Sequence, residues 1–369
     1  MPIYMDRHDV SADVSAEIIA QLHQEDLKMQ GQFGCRVMTY WFDDNRKKAF
    51  CLIEAPNKDA IKELHAHAHG QVPNHIIEVQ TDLVESFLGR IEDPDNPQGT
   101  GLNIIEEAAF RIIMVIALSN SLPPGIDSLQ FNSSWKEISQ DIVKILTEYG
   151  GKPVTQKDHR WLVSYRSVPN AVRAALEIRS LFHKIYGNRK SKDISLKIGL
   201  TAGQPVTEKK SLFEDKIILA QRLSEIGTLP IVVSSEVKEL YENEMANSPI
   251  KNEHIIAVSS ADEKFLTELM DYLEKVWSDT GLQVEDFCKA LGLSKSQLYR
   301  KLNTLIEKSP NEFIREWRLK EALKLLQKNT SNVSQVAFET GFSSPSYFSK
   351  CFLKRFGHLP SDYLLVQTT

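Results

Sequence analysis

Alternating apolar and polar positions dominate the front of the chain, whereas the last hundred residues follow the three-to-four-residue spacing of helices. Ile3 to His8 reads as a strand, Val14 to Gln30 as a helix, Cys35 to Phe42 and Lys47 to Glu54 as strands about an Asp43-Asp44-Asn45 turn, Lys58 to His69 as a helix and Ile76 to Gln80 as a strand. That order, βαββαβ, predicts a ferredoxin-like α+β domain. Gly89 to Gly101, containing Asp93-Pro94-Asp95-Asn96-Pro97, has linker composition, so the first domain ends near residue 88. A second series then alternates: strand Ile112 to Leu118, helix Trp135 to Tyr149, strand Trp161 to Tyr165, helix Pro169 to Ile185, strand Leu196 to Gly203, helix Phe213 to Glu225 and strand Ile231 to Ser234. It predicts another α+β domain, connected onward by the polar stretch Ala246 to Ala261.

The helical end contains two helix-turn-helix patterns. In the first, Gln283 to Leu291 is helical, Gly292 supplies the left-handed turn, and Ser294-Lys295-Ser296-Gln297 is a capping box opening a second helix. The second repeats this grammar with Val333 to Thr340, Gly341, a Ser344 cap and Pro345 in the first turn. Between them Ser309-Pro310-Asn311-Glu312 starts a connecting helix running to about Lys328. At about 1.5 Å per residue, roughly 20 residues span about 30 Å, close to the roughly 34 Å between major-groove segments on one face of DNA. Helical phase turns Leu298, Leu302 and Leu305 inward on the first recognition helix and leaves Ser296, Arg300, Asn303 and Thr304 outward. On the second, Phe348, Cys351, Phe352 and Phe356 form the buried stripe, and Ser346, Ser349, Lys350 and Lys354 project. With Ser294, Lys295 and Ser344 at the helix starts, these are the candidate contacts to bases and phosphates of double-stranded DNA. The competing reading is a helical bundle with a solvated polar face.

This stretch resembles the AraC/XylS-type DNA-binding domain over residues 269 to 369, most specifically from Val336-Ala337-Phe338-Glu339-Thr340-Gly341-Phe342 to Phe352-Leu353-Lys354-Arg355-Phe356-Gly357. The family usually ends Pro-x-x-Tyr-Arg; here Pro360-Ser361-Asp362-Tyr363-Leu364 lacks the terminal cation. Charge agrees with a DNA partner. The 369 residues carry a net charge of −5, yet residues 269–369 hold 14 basic against 11 acidic side chains, while residues 1–100 hold 9 against 17. Four scattered cysteines, Cys35, Cys51, Cys288 and Cys351, do not form a disulfide framework. The longest apolar stretch, Ile112 to Leu118, falls far short of the roughly 20 residues of a membrane span, and no basic-then-apolar signal segment stands at the start, so a cytoplasmic location without membrane partners is expected.

Six histidines, His8, His23, His65, His67, His69 and His75, crowd the first 80 residues. His65 and His69 are four apart on one helical face beside the Ile61, Leu64, Ala68 stripe, and His23 and Asp26 are three apart on the other helix. Imidazole with a carboxylate suits nickel, zinc or copper; surface or hydrogen-bonded histidines are the alternative. Through Tyr4-Met5-Asp6-Arg7-His8, Phe50-Cys51-Leu52-Ile53-Glu54-Ala55-Pro56 and His69-Gly70, Met1 to Val79 resembles a family of short bacterial ferredoxin-like, nickel-binding proteins that dimerise. The resemblance implies His8, His23, His65 and His69 as ligands to Ni²⁺ or another divalent transition metal.

Residues 108 to 244 resemble a class III nucleotide cyclase domain at Leu196-Lys197-Ile198-Gly199-Leu200-Thr201-Ala202-Gly203-Gln204 and Ala220-Gln221-Arg222-Leu223. Such a site needs two carboxylates to hold metal beside the phosphates. The first strand reads Val115-Ile116-Ala117-Leu118 and has none, Asp158 matches the second position, Arg222 matches a transition-state cation, and Ile218 stands where the family has Asn. A catalytically silent relative is expected, with a plain α+β spacer as the other reading. No Walker loop, Gly-x-Ser-x-Gly elbow or His-Glu-x-x-His motif occurs.

The expected architecture is multidomain, α+β and all-α: a ferredoxin-like metal-binding or sensor domain at 1–88, a linker at 89–107, a degenerate cyclase-like domain at 108–245, a linker at 246–264, and an all-α double helix-turn-helix domain at 265–369. The expected function is a homodimeric, non-enzymatic, sequence-specific DNA-binding transcription regulator that responds to a nickel-like metal ion or a small ligand through its N-terminal domain, with RNA polymerase a further partner. The alternative is a cyclase-related enzyme with a DNA-binding tail.

Overall fold

The computed structural model describes residues 1–95, 101–120, 128–157, 159–186, 194–226, 230–245, 254–328 and 331–364. Asp158 and the remainder lie outside the described residues.

Strand β1 (Ile3–Asp9), helix α1 (Ala16–Met29), strands β2 (Arg36–Asp43) and β3 (Lys48–Glu54), helix α2 (Lys58–Ala68) and strand β4 (His75–Val79) form an antiparallel sheet of order β2-β3-β1-β4. Helices α1 and α2 cover one face through Ile19, Ala20, Ile61 and Leu64, which pack on Tyr4, Tyr40, Cys51 and Ile53. Alternation alone predicts a second, wetter face, yet that face is buried too. Met5, Trp41, Phe50 and Leu52 meet Val84, Phe87 and Leu88 of helix α3 (Thr81–Leu88) and Ile113, Val115 and Phe213 of the next unit. Helix α3 is absent from the sequence reading, although Leu83, Val84, Phe87 and Leu88 have helical spacing.

The segment from Gly89 that reads as linker is held along β2. Tyr40 Oη donates to the Asn103 carbonyl and accepts from the Ile105 amide, both at 2.9 Å, and the Phe42 amide donates to the Glu107 carbonyl at 3.1 Å. Arg90 stacks on the Trp41 ring.

The second sheet has order β10-β9-β8-β5-β7-β6. It is built from β5 (Arg111–Asn120), α4 (Ser128–Glu148), β6 (Lys152–Lys157), β7 (Arg160–Tyr165), α5 (Val168–Tyr186), β8 (Ile194–Gly203), α6 (Glu214–Glu225), β9 (Ile231–Val233), α7 (Ser235–Glu244) and β10 (Ile255–Ala257). Its β8-β5-β7-β6 core repeats the antiparallel order of the first sheet, and β9 and β10 extend it in parallel. Helices α4, α5 and α7 cover one face, while Ile113 and Val115 turn the other toward the first sheet. The sequence reading lacks β6, whose residues are mostly exposed, and α7.

The stretch 246–264 that reads as a connection contains β10 and the first turn of helix α8 (Ser260–Val276), capped by Ser259. Helices α9 (Val284–Leu291), α10 (Lys295–Ile306), α11 (Pro310–Lys328), α12 (Val333–Glu339) and α13 (Pro345–Phe356) follow. Helix α11 serves two cores. Phe313 and Ile314 pack with α8, α9 and α10, whereas Leu319, Ala322 and Leu326 pack with Val336, Phe348 and Phe352. The first of these cores continues into Leu223, Ile226 and Val232 of the middle unit.

Candidate metal centre and nucleic-acid interface

Ser15 caps α1 by accepting from the Ile18 amide, and Asn57 caps α2 by accepting from the Asp59 and Ala60 amides, so both helices start at set positions over the first sheet. On α2 the inward face carries Ile61, Leu64 and also His65. Along β1, the period of two puts Asp6 and His8 on the same side as Tyr4, toward the helices, and Cys51 of β3 joins them. His65, Asp6 and Asp26 are at most 2 % exposed.

His65 lies between two carboxylates, with Nε2 3.0 Å from Asp6 Oδ2 and Nδ1 3.1 Å from Asp26 Oδ1. Only a protonated imidazole can donate from both nitrogens. Burial by itself would pull its pKa down, but the hydrogen bonds and charges of Asp26 and Asp6 push it up to about 10. Burial would raise both carboxyls, yet the charge of His8 with the hydrogen bonds of His65 holds Asp6 below the usual range, and hydrogen bonds from His65 and His69 do so for Asp26. His69 Nδ1 accepts from the Gln71 amide at 3.1 Å, which leaves its proton on Nε2, 3.2 Å from Asp26 Oδ1. Burial and then the Asp6 charge push the Cys51 thiol well up.

The donor set fits a divalent metal. Ligand atoms of Asp6, His8, Cys51 and His65 lie within 4.8 Å of one another, as do those of Asp26, His65 and His69, with His65 common to both groups. His8 Nε2 is buried 3.4 Å from Asp6 Oδ1, too poorly directed for a hydrogen bond, and has no other partner among the described residues. A buried ring nitrogen left without a partner is the kind of atom that a metal would satisfy once the ring is neutral.

Three of the four histidines named from the sequence thus converge, and His23 does not. Its Nε2 is 2.9 Å from Asp93 Oδ2 in the segment after α3, and its ring lies against Tyr40. Asp26, paired with His23 by spacing on α1, turns instead to His65 and His69. Asp6 and Cys51 were not among the residues singled out from the sequence; the available signal was the period of two, which sets Asp6 on the same face of β1 as Tyr4 and His8.

In the helical module, Gly292 and Gly341 adopt φ of 62° and 77° and turn the chain between the two helices of each pair. Ser294 and Gln297 form the reciprocal capping box, and Ser344 accepts from the Tyr347 amide. Ser296, Arg300, Asn303, Thr304, Ser346, Lys350 and Lys354 are exposed, while Ser349 is half-buried. Lys295 is exposed but engaged with Glu285 at 2.7 Å. Two aromatic side chains that the phase argument left out, Tyr299 and Tyr347, also stand exposed on α10 and α13.

Residues 287–365 match the family described as a helix-turn-helix domain. The C-terminal module is an AraC-type helix-turn-helix domain. Residues 4–79 match the family described as nickel responsive protein SCO4226-like. Among similar proteins, histidine kinase P4 of Formosa agariphila is 39% identical over 133 residues, covering 34% of this chain and 10% of that protein. The uncharacterized HTH-type transcriptional regulator YdeC of Bacillus subtilis is 33% identical over 94 residues, 26% of this chain and 30% of YdeC. The chain therefore spans a tenth to a third of the length of these curated relatives. The crystal structure of SCO4226 from Streptomyces coelicolor is 27% identical, covering 21% of this chain and 94% of that one, with a TM-score of 0.20.

The helix-turn-helix domain is anchored to the middle unit partly by Arg222, the side chain that matches a cyclase cation. Arg222 is buried, and its guanidinium pairs with Asp271 and Glu274 of α8. Among the described residues no helix is long and apolar enough to cross a membrane.

Proposed function

We propose that the chain is a transcription regulator that binds double-stranded DNA through α10 and α13 and responds to a divalent transition metal, nickel first, held by its front unit. One observation carries the reading: two capped helices with exposed polar faces are joined by α11, 19 residues or roughly 30 Å long at about 1.5 Å per residue. Arg300, Asn303, Thr304, Ser346 and Lys350 read bases; Lys354 and, once released from Glu285, Lys295 meet phosphates, with Ser294, Ser296, Ser344 and Ser349 completing the contacts.

In the front unit, His8, His65, His69 and the carboxylates of Asp6 and Asp26 would hold the metal, Cys51 adjoining. A cation held there would supply positive charge to two buried carboxylates that His65 bridges in its absence. As a ligand His65 would lose one of its two protons and offer the freed nitrogen, so the carboxylate on its other nitrogen would orient the ring while the first carboxylate joined the ligand set. His23 takes a different part, fastening the 89–107 segment through Asp93.

The functional units correspond to residues 1–88, 108–245 and 265–369, the middle one a silent cyclase relative that carries the DNA-binding domain. The protein works in the cytoplasm as a homodimer, with RNA polymerase as a further partner. The test is selection of binding sites from random DNA by the full chain, with nuclease footprints taken with and without Ni²⁺. A defined site whose affinity changes with Ni²⁺ supports the reading, and a protected region longer than one module needs supports the dimer. A defined site indifferent to Ni²⁺, Zn²⁺ and Cu²⁺ removes the sensing half.

A further inference from the structure

We propose that a cavity of about 240 Å³ at the seam between the first two units binds a small anionic metabolite bearing a carboxylate or a phosphate. Phe87 closes it from α3, Arg111 from the start of β5, Lys152 from the start of β6, Tyr165 and Arg166 from the end of β7, and Asn170 from the first turn of α5.

Among the described residues, Glu107 is the carboxylate shared by Arg90, Arg111 and Arg166, and no ion pair reaches Lys152. The Arg111 guanidinium is already occupied by the Phe87, Leu88, Ala108 and Phe110 carbonyls and by Glu107, so Lys152 and Arg166 are the lining cations open to a ligand, and the N-terminal end of the α5 dipole, where Ser167 Oγ accepts from the Asn170 amide, adds positive potential. Burial, opposed by Glu107 and reinforced by Arg166, lowers the Arg111 pKa to about 10, in keeping with this crowding.

A buried hydroxyl lies at the same cavity. Tyr165 is 1 % exposed and lines the cavity, and its Oη is buried with no hydrogen-bond partner among the described residues. The ring rests on Gly151, where a Cβ would come within 2.4 Å of Cζ, so the backbone is shaped to admit it. A buried phenol beside cations is a donor suited to an anion.

Size sets the class, because sites for drug-sized ligands occupy about 300–1,000 Å³ and the 240 Å³ here has room for on the order of ten heavy atoms. The Phe87 and Tyr165 rings favour a short carbon skeleton behind the charged group. The cavity is separate from the histidine cluster, which lies on the opposite face of the first sheet. It is also separate from the cyclase-type metal position, since Ala117 lies six residues beyond Arg111 on β5, roughly 20 Å at about 3.3 Å per residue.

Calorimetric titration of the full chain tests this, using inorganic phosphate, glycerol phosphate, succinate and malate against chloride at matched ionic strength. Saturable binding at one per chain is expected for at least one anion, and the responsive series distinguishes the phosphate from the carboxylate class. Lys152→Gln, on an exposed side chain that folding tolerates, should weaken it about tenfold, and Tyr165→Phe several-fold. Two results would overturn the proposal: no saturable heat from any anion at about 10 mM, or unchanged affinity in both variants.

Discussion

Replacing His65 by alanine removes the imidazolium that bridges Asp6 and Asp26, and the cost follows from the geometry. Two charge-assisted hydrogen bonds, at 3.0 and 3.1 Å, disappear from a site where both carboxylates are at most 2 % exposed. At about 1.5–3 kcal/mol per charged bond the loss is about 3–6 kcal/mol, and breaking a buried ion pair costs about 3–5 kcal/mol, so roughly 4 kcal/mol is expected in metal-free protein. Hydrogen–deuterium exchange of β1 and α2 peptides in the full chain reads this locally. At about 1.4 kcal/mol per decade, exchange through cooperative opening of the unit should accelerate roughly 10²–10⁴-fold at pH 7. The pH dependence identifies the cause. In the wild type Asp6 and Asp26 have depressed pKa values, so their contribution is present above about pH 4 and is lost as pH falls through the folded values. In the variant, burial is opposed by His8 at Asp6 and by His69 at Asp26 but no longer by His65, so both carboxyls rise from their wild-type values and acid relieves the strain instead. The gap between the proteins should therefore be widest near pH 7 and shrink toward pH 4. A gap under about 1 kcal/mol, or one independent of pH, would refute the pairing argument.

Arg300→Ala and Lys350→Ala should each weaken specific DNA binding by about 1–3 kcal/mol in mobility-shift titrations; equal loss on random DNA would make them phosphate contacts. Elemental analysis after dialysis against Ni²⁺ should find metal retained by His23→Ala, whose side chain faces Asp93, but lost from a His65→Ala/His69→Ala double variant; loss from His23→Ala alone would relocate the site. Gly341→Ala places a side chain at φ 77° with its Cβ 2.8 Å from Arg318 Nε, and should destabilise the second helix-turn-helix by about 1–2 kcal/mol, which proteolysis of the full chain would register. A melt and cleavage pattern matching wild type would contradict that assignment of the turn.

Local chemistry was legible before any fold. The capping boxes, Gly292, Gly341, the Ser344 cap and the two buried stripes of the recognition helices depend on residues within a few positions of one another, and they stand in the structure as the sequence implies. The βαββαβ order was legible for the same reason, since periods of two and of about 3.6 are properties of single elements. What the period could not carry was the environment. Strand β2 is buried on both faces because the middle unit covers the face that alternation would leave to solvent. Helix α11 has apolar residues pointing in two directions because it lies between two cores. The mostly exposed β6 and the three-residue β10 owe their existence to pairing with neighbours, and three residues of sequence contain no such information.

The histidine cluster divides the same way. By itself the sequence determined that imidazoles would be dense in the first unit and that His65 and His69 would share a helical face, because both follow from composition and spacing. Only the tertiary structure decided that Asp6 reaches His65 from 59 residues away, that Asp26 leaves His23 for the second helix, and that His23 fastens the segment carrying Asp93. Ligand sets and ion pairs depend on distances between elements, and those distances are set by how helices and sheets pack, not by the periodicity of any one of them.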